Sequence, residues 1–283
     1  MDGTRDGVRL RGLPAGLVMA CHPGPAVAVT LLMTALAASA GQDGRGCLLV
    51  GAAVLSGQLS VGWCNDAVDA RRDRAADRYG KPVVSGAVGA TTVWAASLVA
   101  LVLSVPLSLA CGALAGGVHL LGIGAAWAYN LGLKATALSW LPYAVGFAAL
   151  PAFVALGLPG SPWPAWWVVV SGALLGVGAH LGNVLPDIRS DLVTGVRGWP
   201  QRLGPARTRL LMPLPLVAAS ALLVLGGPGH RGPVGWAALS VAALTAVAGA
   251  ALGRHRTEAP FAASVAVAGI DVALLVWRGA ALT

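Results

Sequence analysis

Apolar residues fill long stretches of the chain, and the polar ones gather in the gaps between them. Runs near the ~20 residues that carry a helix across the hydrocarbon core of a bilayer recur between clusters of Gly, Pro and charge. They predict nine helices over 15–40, 46–66, 87–109, 111–130, 137–157, 164–185, 207–226, 233–252 and 259–280. The first run follows Arg5, Arg9 and Arg11 as in a signal peptide, yet it continues for a full span without a small-residue cleavage site. It therefore reads as a retained first helix. The expected fold is an all-α polytopic membrane protein of about nine transmembrane helices, a single domain over residues 1–283 with no room for a separate soluble one.

Composition agrees: 57% of residues are hydrophobic, 11% are charged and the mean hydropathy is +0.75. A soluble domain carries about a quarter charged residues, so that class is excluded. The net charge of +8 would suit nucleic acid, but the positions of the charges make that partner unnecessary. With the N-terminus inside, the inner segments hold Arg5, Arg9, Arg11, Arg71, Arg72, Arg74, Arg78, Lys81, Lys134, Arg189, Arg197, Arg202, Arg207, Arg209, Arg254 and Arg256. Only Arg45, Arg231 and Arg278 remain outside. Positive charge marks the cytoplasmic side of membrane proteins, so the N-terminus is expected there. Trp63, Trp127 and Trp140 at inner helix ends, and Trp163, Trp166, Trp167, Trp236 and Trp277 at outer ones, are expected to be mostly interfacial anchors. Cys21, Cys47, Cys64 and Cys111 lie far apart with no zinc-ligand spacing and read as small apolar filler. The Ala/Gly/Arg-rich, lysine-poor composition points to a GC-rich genome and a bacterial cell membrane.

Two inner segments break the apolar pattern. One reads Asn65-Asp66-Ala67-Val68-Asp69-Ala70-Arg71-Arg72-Asp73 and the other Asn183-Val184-Leu185-Pro186-Asp187-Ile188-Arg189-Ser190-Asp191, both N-xxx-D-xxx-D. Gly80 and Pro82 follow the first as Gly198 and Pro200 follow the second, so the match is an internal repeat. On a helix, residues four apart share a face, which predicts one stripe of Asn65, Asp69 and Asp73 and another of Asn183, Asp187 and Asp191. Two carboxylate stripes facing one cavity repel unless a cation sits between them. All-oxygen ligands suit Mg²⁺, an ion readily shared with substrate phosphates. Neighbouring arginines, together with Lys81 and Lys134, supply counter-charge for an anionic substrate. Solvated, charge-balanced loops are the plainer reading; recurrence at identical spacing favours a site. An EF-hand loop is excluded, because the twelve-residue spacing, central glycine and closing glutamate are missing.

At these residues the chain resembles the UbiA-type superfamily of intramembrane prenyltransferases along nearly its whole length. The family's NDxxDxxxD motif matches Asn65-Asp66…Asp69…Asp73, and its DxxxD motif matches Asp187…Asp191. The resemblance implies a helical bundle around a central cavity that opens laterally to lipid, with two Mg²⁺ ions and an isoprenyl diphosphate bound at the acidic motifs. It implies metal ligation by Asn65, Asp66, Asp69, Asp73, Asp187 and Asp191, with Asn183 a lesser candidate. Asp66, Asp69, Asp187 and Asp191 would be the catalytic acids. Arg72, Lys81, Tyr129, Lys134 and Arg189 would touch phosphate. The expected reaction passes the prenyl chain to a lipophilic or aromatic acceptor; a terpene cyclase on the same scaffold is the alternative.

Members that prenylate aromatic carboxylic acids carry a basic residue early in the first helix, where this chain has Cys21-His22-Pro23-Gly24-Pro25. A 4-hydroxybenzoate-like acceptor is therefore not expected. His22, His180 and Asp271 are the candidates for the acceptor side or the cavity, with His180 placed by spacing on the face of the second stripe. Helix packing explains His180 equally well, and it is the expected role of His119. A repeat-built cation transporter is the third reading, and arginines interleaved with the acids oppose it.

Overall fold

The computed structural model describes residues 14–227, 232–277 and 282. Arg5, Arg9, Arg11, Arg231 and Arg278 of the charge map lie outside them. The described chain is helical, with no strand. In order it runs α1 (Pro14–Ala20), α2 (Pro23–Ser39), α3 (Gly44–Ala75), α4 (Pro82–Ser85), α5 (Ala90–Leu109), α6 (Ala113–Leu131) and α7 (Leu141–Leu156). It continues with α8 (Trp166–Val184), α9 (Ile188–Val193), α10 (Trp199–Leu203), α11 (Pro205–Leu211), α12 (Pro213–Leu225), α13 (Pro233–Leu252) and α14 (Ala259–Trp277). Among the described residues, six helices are long and apolar enough to cross a membrane, and seven if α1 and α2 count as one bent span. The 19-residue α6 and the 16-residue α7 fill the two remaining predicted segments.

Neighbours in sequence pack as neighbours in space, α3 on α2 and α5, α7 on α6 and α8, α13 on α12 and α14, while α14 also reaches α2 and α8. That arrangement closes the bundle. One buried cluster, with Leu36, Val54, Phe153, Leu156 and Val224, fills the half away from the acidic motifs. Burying a side chain the size of Phe153 contributes about 1.5–3 kcal/mol. Apolar residues such as Leu31, Leu48, Val102, Leu121, Leu210 and Leu244 are exposed, as a lipid-facing surface requires.

Three features depart from the sequence expectation. The first predicted helix is two, bent by 67° at Cys21-His22, where His22 adopts the left-handed conformation (φ 56°, ψ 66°). Such a conformation costs a residue with a side chain about 1–2 kcal/mol. The helix predicted to end at 66 runs unbroken to Ala75 and carries the whole first motif, with Arg72 and Arg74 in its last turn, where basic side chains complement the helix dipole. The second motif is not uniformly α-helical: α8 ends at Val184, Leu185–Asp187 tighten into a 3₁₀ turn and α9 resumes at Ile188. Pro186 lacks the N–H that would continue the α-helix.

The tryptophans also divide differently. Trp163, Trp166, Trp236 and Trp277 are exposed, whereas Trp167 is buried in the core. Trp63 donates to the Leu17 carbonyl at 2.8 Å and Trp127 to the Ser60 hydroxyl at 3.0 Å. These last three hold helices together instead of anchoring an interface. The four cysteines are free and at least half-buried, as the filler reading expects.

Candidate active site

The first motif projects from the last turns of α3, with Asp66, Asp69 and Asp73 all buried. Buried carboxylates must be paired or hydrogen-bonded, and each has partners from elements that converge on this end of the bundle. Lys81, just before α4, places Nζ 2.7 Å from Asp66 Oδ1 and 3.7 Å from Asp73 Oδ2. Arg72 Nη2 lies 2.8 Å from Asp69 Oδ2, and Lys134, beyond α6, holds Asp69 Oδ1. Asn65 donates to Asp69 Oδ2 at 3.3 Å and to Asn130 Oδ1 at 3.0 Å; Asn130 in turn donates to the Val61 carbonyl. Burial draws the Lys134 ammonium below the usual lysine range, and Asp69 opposes that shift.

Arg78 joins the two motifs. Its Nη2 lies 2.7 Å from Asp187 Oδ1 and 2.9 Å from the Ser190 hydroxyl, while Nη1 lies 3.5 Å from Asp73 Oδ1. Asp191 is buried and accepts a 2.8 Å hydrogen bond from Gln201 on α10. Each motif is therefore gripped from a short proline-started helix downstream, Lys81-Pro82 for the first and Pro200-Gln201 for the second, so the sequence repeat has a structural counterpart.

Of the predicted residues, the structure gathers Asn65, Asp66, Asp69, Asp73, Asp187, Asp191, Arg72, Lys81 and Lys134. Tyr129 stands at their edge, its ring packed against Tyr143 (centroids 5.1 Å apart) and His180 (5.7 Å). Tyr143 is held close by Gly176 of α8, where a Cβ would stand 2.3 Å from the Tyr143 carbonyl oxygen. Asn183 is parted from Asp187 by the 3₁₀ turn, which breaks the four-residue register of the predicted stripe. It is exposed and donates to the Tyr143 hydroxyl at 3.0 Å. Arg189 is exposed and forms no ion pair among the described residues. His180 Nε2 meets the Ser139 hydroxyl at 3.1 Å, and that oxygen accepts the Trp199 N–H at 2.9 Å, tying the loop after α6 to α10. His22 places Nε2 3.8 Å from Asp66 Oδ1.

Asp271 is far along the bundle. It lines a cavity of about 70 Å³ with Leu32, Phe147, Ser171 and Leu275. His119 bonds Ser108 at 2.8 Å and stacks on Phe153, the packing role expected of it. Sequence reasoning missed Arg78 and Gln201 as site residues. Arg78 was visible only as one of a basic cluster, and Gln201 only as the residue after the repeated proline.

No three His, Cys, Asp or Glu side chains among the described residues already converge as a metal cage. The donors nevertheless fit a hard divalent ion: they are carboxylate oxygens, and Asp66 Oδ2 is buried without a partner. Five carboxylates face four basic side chains here, which leaves cationic ligation unfinished.

Comparison with known proteins places the chain in a family. The model of the UbiA prenyltransferase family matches residues 26–270. The bacteriochlorophyll synthase 33 kDa chain of Cereibacter sphaeroides is 30% identical over 69% of this chain and 68% of its own. Among solved structures, the apo UbiA homologue of Aeropyrum pernix K1 superposes with a TM-score of 0.70 at 21% identity, covering 89% of this chain and 97% of that one. The Archaeoglobus fulgidus UbiA homologue bound to GPP and Mg²⁺ superposes with a TM-score of 0.67 at 13% identity, over 94% and 100%. Paired acidic motifs at one end of a helical membrane bundle and a family match spanning most of the chain lead to one assignment: this integral membrane protein belongs to the UbiA prenyltransferase family.

Proposed function

We propose that the chain, acting as one domain, is a Mg²⁺-dependent prenyltransferase that ionises an isoprenyl diphosphate at the motif end of the bundle and passes the prenyl group to a lipophilic acceptor. The observation that carries this reading is Arg78, which spans Asp73 of one motif and Asp187 of the other and so brings both acid sets to one place. Relatives by fold supply the precedent, since the Archaeoglobus fulgidus homologue is solved with GPP and with DMAPP, each with Mg²⁺. The basic end is assigned to the cytoplasm, and the membrane to a bacterial cell.

Bound Mg²⁺ would supply Lewis-acid stabilisation of the departing diphosphate. Asp66, Asp69, Asp73, Asp187 and Asp191 would hold the ions, with Asn65 as a neutral donor and Asn183 at the margin. Arg72, Arg78, Lys81 and Lys134 now neutralise those carboxylates. Once released, they turn to the diphosphate and stabilise the charge that builds on its bridging oxygen. Tyr129 closes the site beside Tyr143 and His180, and Arg189 stands exposed at the entrance. An apolar lining of the kind the family resemblance implies would exclude water from the allylic cation until the acceptor attacks.

Purified protein in detergent, given Mg²⁺ and isoprenyl diphosphates of several lengths with and without lipophilic acceptors, tests this. The transferase reading expects prenylated acceptor, and Asp69→Asn and Asp187→Asn should abolish it. Diphosphate release with a cyclic hydrocarbon or alcohol in the absence of acceptor would replace it by the cyclase. No diphosphate release under any condition would refute both.

A further inference from the structure

The break in the first span is held in place. Gly62 of α3 lies against it so closely that a Cβ would stand 2.3 Å from the Cys21 carbonyl oxygen. Next to it, Trp63 ties the last turn of α1 to α3 through the Leu17 carbonyl. The left-handed His22 thus sits over α3 one turn before Asp66. There its Nε2 is buried with no hydrogen-bond partner, and 3.8 Å to Asp66 Oδ1 is too long for a hydrogen bond. Asp66 Oδ2 is also buried and unpartnered, while Lys81 occupies Oδ1. Orphaned buried polar atoms in a native structure require an explanation. Here one is an imidazole nitrogen and the other a carboxylate oxygen, both ligand atoms, on two side chains that a strained residue brings within 3.8 Å of each other.

We propose that His22 is a metal ligand, its Nε2 joining Asp66 in a mixed nitrogen and oxygen site at the first motif that raises the affinity for first-row transition ions relative to Mg²⁺. Imidazole is a good ligand for such ions, whereas Mg²⁺ keeps to oxygen. This rests on the reading that the acidic motifs bind divalent ions, and the two are tested separately.

The full chain, purified in detergent and loaded with Mn²⁺, is measured by pulsed electron paramagnetic resonance, with free Mn²⁺ followed by its solution spectrum. Wild type should show imidazole ¹⁴N modulation that turns into the ¹⁵N pattern in protein grown on ¹⁵N-histidine. His22→Ala and His22→Gln should lose the modulation while still binding Mn²⁺. The Mn²⁺-to-Mg²⁺ affinity ratio, from displacement of Mn²⁺ by Mg²⁺, should fall at least about tenfold in both variants. Bound Mn²⁺ without histidine modulation, or modulation that survives in His22→Ala, overturns the assignment of His22. In that case release of the ion by Asp69→Asn would leave the motif reading standing. Wild type that binds no Mn²⁺ overturns both.

Discussion

Replacing Arg78 by alanine should separate catalysis from stability. The guanidinium makes its shortest ion pair, 2.7 Å, with Asp187, whose side chain is 44% exposed. Ion pairs of that exposure contribute about 0–1 kcal/mol. The deeper partner, Asp73, is 3.5 Å away and keeps Lys81 at 3.7 Å, so no buried carboxylate is stranded. Arg78→Ala should therefore lower the melting temperature by no more than about 2–4 °C. With diphosphate bound, the same fork donates charge-assisted hydrogen bonds worth about 1.5–3 kcal/mol. At about 1.4 kcal/mol per factor of ten, kcat/KM should fall roughly ten- to a hundredfold. Arg78→Lys, which keeps the charge but loses the fork, should fall between the two. Diphosphate release by purified protein gives the rate, and a thermal melt gives the stability. Wild-type kcat/KM in Arg78→Ala, or a melting loss beyond about 10 °C, would refute the argument and make Arg78 a structural strut.

Two further outcomes follow from the same geometry. Lys134→Met removes a cation that competes with metal for Asp69. Divalent ion affinity measured by calorimetry should rise, while KM for the diphosphate rises as well because one phosphate partner is gone. Phe153→Ala empties a fully buried site stacked on His119 and should cost about 3–5 kcal/mol in denaturant unfolding, with ion affinity unchanged.

The helical segments were legible because apolar runs of bilayer length admit few other readings, and the acid set was legible because its spacing recurs. What escaped has particular causes. The bend at Cys21-His22 lies within an apolar run, where Pro23 is as compatible with a helix's first turn as with a break, so hydropathy passes over it. The apolar run ends at 66 because Asp and Arg lower hydropathy, so the continuation of α3 to Ala75 was legible only from the four-residue spacing of Asn65, Asp69 and Asp73. Pro186 could have signalled the 3₁₀ turn that breaks the register between Asn183 and Asp187, but equal spacing in the two motifs argued for equal geometry. Arg78 was hidden by its neighbours, since position alone does not distinguish the arginine that bridges both motifs from those facing solvent.

Asp271 extends the reasoning from the site to the membrane interior. It is 1% exposed on α14, and its Oδ2 has no partner. The cavity beside it, about 70 Å³, exceeds the ~30 Å³ share of one water in the liquid. An unsatisfied buried polar atom costs about 1–3 kcal/mol, and apolar side chains such as Leu32, Phe147 and Leu275 line the same space. Leucine at 271 removes the orphan oxygen and fills part of the cavity. Ser220, also buried, loses little, because its hydroxyl donates to the Leu216 carbonyl at 3.3 Å. Asp271→Leu should therefore unfold at a temperature equal to or above wild type in detergent, by up to about 4 °C per kcal/mol recovered. Asp271→Asn keeps a polar group in the same place and should gain nothing. If Asp271→Leu instead melts well below wild type while Asp271→Asn does not, the carboxyl group is held by ordered water inside the cavity, and the bundle depends on a hydrated polar contact in its apolar half.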